Sequence, residues 1–239
     1  MLTKEEVTEP FYAHVLSLTS HSPFTLPADK IKIDLPKMYD DTVVGDYLQS
    51  IHYADYALGQ FVRQLKEAGL WEQSMIAVYG DHSGAHGKLL TKEDEELLEH
   101  MLGHPYTLPE RFNVPFIIHI PGVTDGEQVE RIGGQIDMMP TLAALLGLSL
   151  DDHLYFGQNL LQPYEHNLLG MRYYMPAGSY INEELLYSPA TPKVHERIFD
   201  LQTRERLAKD EIETDMQGNV LKLLYWSDAY IEQLPVRTQ

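Results

Sequence analysis

The sequence predicts an α/β fold in which a sheet flanked by helices is followed by a small antiparallel subdomain. Two apolar, β-leaning runs, at 75–79 and 115–120, predict buried strands. Between residues 43 and 68, apolar side chains recur every three or four positions, which predicts one long amphipathic helix. Short strands and turns replace this pattern later in the chain. We therefore expect an α/β domain at residues 1–150 and a small α+β subdomain at 151–239 packed on it.

The first half of the chain predicts a strand, a loop and a crossover. Phe11 to Leu18 is apolar and β-leaning and predicts a central strand, after which Pro23 and Pro27 interrupt regular structure. The long helix is expected to end at Gly69, because glycine is a common helix stop. Since this helix separates two predicted strands, it is expected to form the crossover of a parallel or mixed sheet.

The second half predicts shorter elements. Residues 91–102 predict a surface helix whose acidic start suits the helix dipole. Residues 135–147 predict a helix that tolerates Pro140 in its first turn and is capped by Asp137. The predicted strands of the carboxyl-terminal part are 170–175, 179–181, 196–200 and 220–225.

Composition excludes several classes of function. The chain has 239 residues and 44% hydrophobic residues, which is enough for a globular protein with a real core. Because 36 acidic residues face 18 basic ones, a nucleic-acid partner is disfavoured by electrostatics. The absence of cysteine excludes disulfides, thiol nucleophiles and cysteine-based zinc sites from these residues. Neither a signal-peptide pattern nor a membrane-spanning apolar run is expected in this sequence.

Asp81 and His82 follow directly after a predicted buried strand, at the kind of sheet edge where ligands bind. A carboxylate next to an imidazole offers two ligands to a divalent cation, and His86 is close enough along the chain to reach the same cavity. The alternative is that Asp81 caps a following helix beside a solvated histidine. His21 follows the first predicted strand in the same way, with capping of the adjacent Ser-Pro turn as its alternative.

Four stretches, spanning about two thirds of the chain, resemble the alkaline phosphatase/sulfatase superfamily and, within it, the lipoteichoic acid synthase and phosphoglycerol transferase branch. They occur in the order found in that family. The stretches are Phe11–Phe24, Asp55–Lys66, Val78–His82 and Gln135–Gly147. The resemblance implies an alkaline phosphatase/sulfatase-like sheet, with the small carboxyl-terminal antiparallel subdomain that closes this fold.

The resemblance also implies roles for the site residues. Asp81 and His82 are expected to bind a divalent metal, and His21 is expected to bind the phosphate-bearing head group, with His86 lining the same cleft as a second substrate-binding residue. Manganese is the expected ion, with magnesium or zinc as alternatives, because a carboxylate-rich single-metal site suits manganese or magnesium. A two-metal, histidine-richer site would suit zinc.

The implied function is a metal-dependent phosphoglycerol transferase that acts on lipid-linked or polymeric phosphoglycerol at the extracytoplasmic face of the membrane. The alternatives are part of a sulfuric ester hydrolase, or a non-catalytic remnant or binding protein. Family members carry an amino-terminal half with the first metal carboxylate and a Thr, Ser or modified Cys nucleophile, and no segment here resembles it. We therefore expect this chain alone to be inactive, to bind metal weakly, and to need that half, or self-association, to cover its exposed sheet edges.

The remaining histidines are expected to be structural. His119 lies within a predicted strand and is expected to find a backbone partner in the core. His52 and Asp55 share a helix face but are assigned a structural role, and His100 and His104 are expected to be ordinary surface or loop residues rather than part of a lid over the cleft.

Overall fold

A computed structural model describes residues 10–86, 88–164, 167–172, 174–208 and 216–236. The chain forms two compact units, Met1–Gly126 and Glu127–Gln239. The domain boundary that the sequence predicts after residue 150 stays a prediction. None of the helices in the described part of the chain is long and apolar enough to cross a membrane.

The described residues of the first unit form three α-helices and two strands. The elements are α1 (Val43–Glu67), β1 (Ile76–Tyr79), α2 (Lys92–Leu102), α3 (Leu108–Phe112) and β2 (Phe116–His119). The predicted long helix is thus confirmed as α1, and the Thr42 hydroxyl caps it by accepting a hydrogen bond from the Gly45 N–H at 2.9 Å. The helix predicted at 91–102 is confirmed as α2, with its acidic first turn and a capping box at Thr91.

Strands β1 and β2 pair antiparallel, from Ile76 opposite His119 to Tyr79 opposite Phe116. Both predicted runs are therefore confirmed as strands, but the expectation that they are buried is wrong for this structure, because Tyr79 and Ile117 are exposed and the other strand residues are half-buried. The sequence predicted that α1 crosses over between two strands of a parallel or mixed sheet. This prediction is corrected: α1 leads into β1, but the described partner of β1 is β2, which runs antiparallel to it.

The prediction of a central strand at Phe11–Leu18 is wrong for this chain. Residues 11–18 are irregular, and their side chains are exposed. A strand forms only when its backbone N–H and C=O groups pair with a neighbour, and the described two-stranded sheet contains only β1 and β2. The apolar composition favours a strand without supplying that neighbour.

The core of the first unit joins α1 to α2. Val44 packs with Leu97 and Leu98 in a buried cluster. Asp94, on α2, is only 2% exposed and links the two helices, because its Oδ1 accepts a hydrogen bond from the Val44 N–H at 3.1 Å. Its Oδ2 accepts from the Thr91 N–H at 2.9 Å and the Thr91 hydroxyl at 2.7 Å. This buried carboxylate fixes the amino end of α1 in place.

Where the structure describes it, the second unit forms two α-helices and a four-stranded sheet. A 3₁₀ turn at Gln135–Asp137 leads into α4 (Met138–Leu145), which confirms the predicted helix at 135–147. The later elements are β3 (Leu169–Met171), β4 (Ser179–Ile181), β5 (Leu185–Ser188), β6 (Arg197–Asp200) and α5 (Met216–Gln233). The sheet is antiparallel throughout, in the order β3-β4-β5-β6, as the expected small subdomain requires.

One predicted strand of this unit is a helix. Residues 220–225 lie within α5, where Val220 is fully buried against Tyr180 and Ile198 of the sheet, and Leu224 packs against the same cluster. Val220 and Leu224 are four residues apart, so they share a helix face. The strand predicted at 170–175 is shorter than expected and ends at Met171; Tyr173 lies outside the described residues.

Asp137 has the structural role expected of it, although it caps the 3₁₀ turn rather than α4 itself. Its buried carboxylate accepts hydrogen bonds from the Gly134 N–H at 2.8 Å and from the Gln158 N–H at 2.7 Å. The Asn167 amide donates a third at 3.2 Å. With these three donors, Asp137 ties the turn to two later segments of the second unit.

Candidate functional site

Two histidines from distant parts of the first unit meet beyond the end of β1. The rings of His21 and His82 lie 6.3 Å apart between centroids and are nearly perpendicular, at 85°. His82 is three residues beyond Tyr79, the last residue of β1. His21 therefore lies near His82, although it follows an irregular segment instead of a strand, and the binding roles expected of both stay predictions.

Asp81 and His82 are placed to share a ligand. The Asp81 Oδ1 lies 3.7 Å from the His82 Nε2, and the two side chains are 60% and 52% exposed. The His82 Nδ1 lies 2.8 Å from the Ser83 carbonyl oxygen. Because a carbonyl oxygen only accepts, this contact places the hydrogen on Nδ1 and leaves the Nε2 lone pair available to bind a cation.

The sequence left open whether Asp81 caps a helix and whether His21 caps its Ser-Pro turn, and the structure gives a different answer for each. No described helix begins between Asp81 and α2, so Asp81 does not cap a following helix. The His21 Nδ1 lies 2.8 Å from the Ser22 carbonyl oxygen, and the His21 carbonyl accepts from the Phe24 N–H at 3.2 Å. His21 therefore stabilises its turn and presents its ring to His82 at the same time.

Tyr47, on α1, holds the two histidine-bearing loops together. The Phe24 ring, only 4% exposed, packs edge-on against the Tyr47 ring with centroids 5.0 Å apart. On the other loop, a Cβ atom at Gly84 would lie 2.3 Å from the Tyr47 hydroxyl oxygen. A side chain at residue 84 would clash, so glycine is required for the loop that follows Asp81 to approach this ring.

Two further contacts fix the Asp-His loop. The Tyr106 hydroxyl donates a hydrogen bond to the buried Ala85 carbonyl at 2.6 Å, and burial raises the pKa of Tyr106 to about 12, which keeps the hydroxyl a donor. At the start of the loop, a Cβ at Gly80 would lie 2.7 Å from the Cβ of Val114. Gly80 therefore allows the chain to leave β1 close against the neighbouring segment.

His86 lies in the same electrostatic environment as His82. Burial lowers the pKa of His86, and the positive charges of Arg111 and Lys88 lower it further. At neutral pH His86 is therefore a neutral imidazole, able to donate or accept one hydrogen bond. Its expected place in the cleft beside His82 remains a prediction.

Arg111 and His14 belong to this region and were not predicted. Arg111, on the short helix α3, is close enough to His86 to affect its pKa, and its Nε is buried with no described hydrogen-bond partner. His14 stacks on Tyr79 at 6.2 Å, and its Nε2 lies 3.1 Å from the Tyr79 hydroxyl. Arg111 lies in no motif of the sequence, and although His14 lies within the stretch Phe11–Phe24, nothing in that stretch singles it out.

Two other histidines of the first unit, His119 and His104, have structural contacts. His119 stacks on Trp71 at 3.7 Å, and its Nε2 lies 3.4 Å from the Trp71 carbonyl, which confirms the expected backbone partner. The His104 Nδ1 contacts the Pro105 carbonyl at 3.2 Å and lies 3.9 Å from the Glu110 carboxylate. These contacts hold His104 to its own loop.

Asp81 and His82 fit one part of a metal site. Two ligands that each bind at about 2.1 Å can stand up to about 4 Å apart around one ion, and their separation of 3.7 Å satisfies this limit. Over residues 10–86, 88–164, 167–172, 174–208 and 216–236, no cluster of three or more His, Asp or Glu side chains could hold a metal. The pair could therefore supply two ligands to a divalent ion, and the other ligands would have to come from outside the described residues.

The fold and this site define a class of protein, an α/β protein with an Asp-His pair directly after a strand. A family model described as Sulfatase matches residues 1–148, and the chain belongs to this family, in the lipoteichoic acid synthase branch of the alkaline phosphatase/sulfatase superfamily.

Sequence relatives support this placement. Lipoteichoic acid synthase 1 of Bacillus subtilis is 31% identical over 230 residues, which cover 95% of this chain and 33% of the relative. Lipoteichoic acid synthase of Staphylococcus saprophyticus is 32% identical over 212 residues, covering 87% of this chain and 30% of the relative. The chain thus spans about one third of the length of these synthases.

Solved structures confirm the fold. The lipoteichoic acid synthase LtaP from Listeria monocytogenes superposes with a TM-score of 0.76 at 31% identity, covering 93% of this chain and 54% of that protein. A protein of the alkaline phosphatase superfamily from Vibrio parahaemolyticus, at 20% identity and a TM-score of 0.61, covers 90% of this chain and 48% of its own and shows the same fold.

Proposed function

We propose that this chain supplies the carboxyl-terminal part of the metal-binding and phosphate-binding site of a phosphoglycerol transferase acting on lipid-linked or polymeric phosphoglycerol. The observation that carries the proposal is the convergence of His21 on the Asp81-His82 pair, with 6.3 Å between the two histidine rings. The similarity to lipoteichoic acid synthases supports a transferase rather than a sulfate ester hydrolase.

Asp81 and His82 would hold the divalent ion, for which manganese is the best candidate and magnesium or zinc are alternatives. The bound ion supplies positive charge against the oxygens of a phosphoryl group. The Asp81 carboxylate offsets part of the ion's charge, and the neutral His82 Nε2 completes this half of the site. The contacts of Tyr47 and Tyr106 with the loop at Gly84 and Ala85 would help to orient both ligands.

His21 and His86 would bind the phosphate oxygens of the substrate. The His21 Nδ1 is engaged by the Ser22 carbonyl, so its Nε2 is left for a ligand and would bind a phosphate oxygen as the N–H donor of an imidazolium ring. The positive charge of Arg111 close to His86 favours an anionic group at the same place. In a chain of formal charge −18, such local positive charge is necessary for a phosphate polymer to approach.

The proposed setting is the extracytoplasmic face of the cell membrane, where a phosphoglycerol-bearing lipid is accessible. The proposed partners are that lipid or its polymer, and not a nucleic acid. The exposed apolar segment Phe11–Leu18 is proposed to pair with the amino-terminal half of the protein, or with a second copy, which would supply the backbone partners of a strand.

Transfer of phosphoglycerol from phosphatidylglycerol, measured on the complete gene product with manganese, tests the proposal. We expect metal-dependent release of diacylglycerol, lost in His82→Ala. Hydrolysis of 4-methylumbelliferyl sulfate without any phosphoglycerol transfer would support the sulfatase alternative instead. Binding of phosphoglycerol without turnover in the complete gene product would support the non-catalytic alternative.

A further inference from the structure

Helix α5 packs on the sheet with one face and exposes aromatic side chains on the other. Val220 and Leu224 hold the inner face against the sheet of the second unit. On the outer face, the adjacent side chains Tyr225 and Trp226 are 70% and 60% exposed. Neighbouring exposed aromatic rings on a folded surface are typical of a site of interaction.

The outer face carries a row of four residues with a two-fold pattern. Lys222, Tyr225, Ala229 and Glu232 follow one another at spacings of three, four and three, so they lie in one row along the helix. Two helices that pack along a common seam use this spacing. Lys222 and Tyr225 lie as far before position 227 as Glu232 and Ala229 lie after it. We call these four residues the α5 row.

The charges of the α5 row suit a second copy of the same helix. Among the described residues, neither Lys222 nor Glu232 forms an ion pair. Asp228, the other carboxylate of α5, is bound by Arg172, whose Nη1 donates a hydrogen bond to the Asp228 Oδ2 at 2.9 Å. The row thus offers a cation at one end and a carboxylate at the other, and an antiparallel copy brings opposite charges together at both ends.

The sizes of the two central residues are complementary as well. In an antiparallel pair centred on position 227, the large Tyr225 ring of each copy lies opposite the small Ala229 of the other. Trp226 flanks the same seam. Because each aromatic side chain carries about 150–250 Å² of surface, the interface falls at the low end of the range for specific complexes, below about 1,200 Å². The pairing is therefore weak and reversible.

We infer that α5 is a homodimer interface, at which two copies of the chain pair their α5 helices antiparallel about a two-fold axis at position 227. Lys222 of each copy contacts Glu232 of the other, and Tyr225 packs on Ala229. This surface is different from the segment Phe11–Leu18, and the inference does not depend on the proposed function.

The net charge of the chain favours a second copy over a lipid surface. Exposed Trp and Tyr also suit a membrane interface, but a formal charge of −18 opposes docking on anionic lipids, and the α5 row carries one acidic residue for its one basic residue. The same net charge makes two copies repel each other. At physiological ionic strength, the Debye length of about 8 Å screens this distant repulsion much more than the ion pairs in contact.

Sedimentation equilibrium of the 239-residue chain at physiological ionic strength tests the inference. We expect a monomer–dimer equilibrium with a Kd in the micromolar range. Lys222→Glu and Glu232→Lys should each weaken dimerisation about tenfold, because each brings two pairs of like charges together at the seam.

Combining the two charge reversals separates antiparallel pairing from every other arrangement. The double variant Lys222→Glu/Glu232→Lys should dimerise within about twofold of the unsubstituted chain, and an equimolar mixture of the two single variants should form heterodimers of similar affinity. Residues ten positions apart on one helix are separated by about 15 Å, so this recovery does not arise within a single chain. A double variant as weak as the single ones, or a chain that stays monomeric up to millimolar concentration, would overturn the inference.

Three alanine variants locate the interface. Trp226→Ala should weaken dimerisation at least about tenfold, because the dimer loses two large aromatic contacts. Tyr174→Ala, at a ring of the second unit that is 75% exposed and lies outside α5, is the matched control and should leave dimerisation unchanged. Association lost in Tyr12→Ala and kept in Trp226→Ala would assign it to the segment Phe11–Leu18 and overturn the inference. Circular dichroism of each variant checks that the fold is intact.

Co-sedimentation with phosphatidylglycerol vesicles tests the lipid alternative on the same proteins. We expect no binding of the unsubstituted chain to these vesicles. Vesicle binding that Trp226→Ala abolishes, in a chain that does not dimerise, would overturn the inference and assign the outer face of α5 to a lipid surface.

Discussion

The Tyr47 ring packs edge-on against Phe24 at 5.0 Å, and its hydroxyl occupies the space that a side chain at residue 84 would need. One aromatic side chain of α1 therefore sets the distance between the loop that carries His21 and the loop that carries Asp81 and His82. The candidate site depends on this packing as much as on its own polar residues.

Gly84→Ala is expected to disturb the Asp-His loop. The new methyl group would lie 2.3 Å from the Tyr47 hydroxyl, so the loop or the ring must move, at a cost of about 1–3 kcal/mol in the free energy of unfolding. Urea unfolding measures this cost. The matched control is Gly59→Ala on α1, where nothing lies within 4 Å and alanine is the better helix former. Equal stability of Gly84→Ala and the unsubstituted chain would show that the loop is not packed on Tyr47.

Tyr106→Phe is expected to lose the hydrogen bond to the Ala85 carbonyl without changing the volume of the side chain. Because that carbonyl belongs to a buried residue, the loss should destabilise the fold by about 1–2 kcal/mol in urea unfolding. Tyr225→Phe, at a ring that is 70% exposed, serves as the control and should be neutral. If both variants lose the same stability, the contact with Ala85 contributes nothing specific.

Local pattern predicted much of this fold. The periodicity of α1 and the apolar runs of β1 and β2 are properties of neighbouring residues, and all three elements lie where the sequence places them. Residues 11–18 and 220–225 were assigned wrongly for one shared reason. Their composition suits a strand, but their structure depends on residues far away in the sequence. For residues 11–18, the described part of the chain supplies no strand to pair with. For residues 220–225, the partner is the sheet beneath α5.

The candidate site likewise has one part that the local sequence predicts and one part that depends on distant residues. The Asp81-His82 pair and its place after a strand are visible in the sequence, because they are adjacent residues at the end of an apolar run. The approach of His21 to His82 depends on Phe24, Tyr47 and Gly84, which come from three separate segments. No spacing rule connects Phe24, Tyr47 and Gly84, so the packing that brings His21 close to His82 became visible only with the structure.

Asp81→Asn is expected to weaken manganese binding by removing the negative charge of one ligand while keeping its shape. The described residues supply only the pair Asp81 and His82, so we expect calorimetry on this chain to give weak affinity, above about 100 μM, reduced further by the substitution. Asp55→Asn, at an exposed position on α1, is the control and should leave the affinity unchanged. Micromolar affinity in this chain, abolished by Asp81→Asn, would show that these residues complete the site without ligands from elsewhere.

Asp94→Asn is expected to destabilise the first unit in a pH-dependent way. Burial raises the pKa of Asp94, but hydrogen bonds from Thr91 and Val44 outweigh it and leave the pKa below its ordinary value of 3.8. Because the folded pKa is the lower one, the carboxylate stabilises the fold fully above pH 3.8, and this contribution is lost as the pH falls through the folded pKa. The asparagine variant should lose about 1–3 kcal/mol at pH 7, because one amide N–H then faces the Thr91 donors.

Urea unfolding of the unsubstituted chain and of Asp94→Asn, at pH 7, 4 and 3, measures this linkage, with Glu93→Gln as a control at an exposed residue in the same helical turn. The difference between the unsubstituted chain and Asp94→Asn should narrow below pH 4, because only the unsubstituted chain loses a charged acceptor there. A difference that stays constant from pH 7 to pH 3 would contradict the prediction, since it would mean that the carboxylate's charge does not contribute to holding α2 against the amino end of α1.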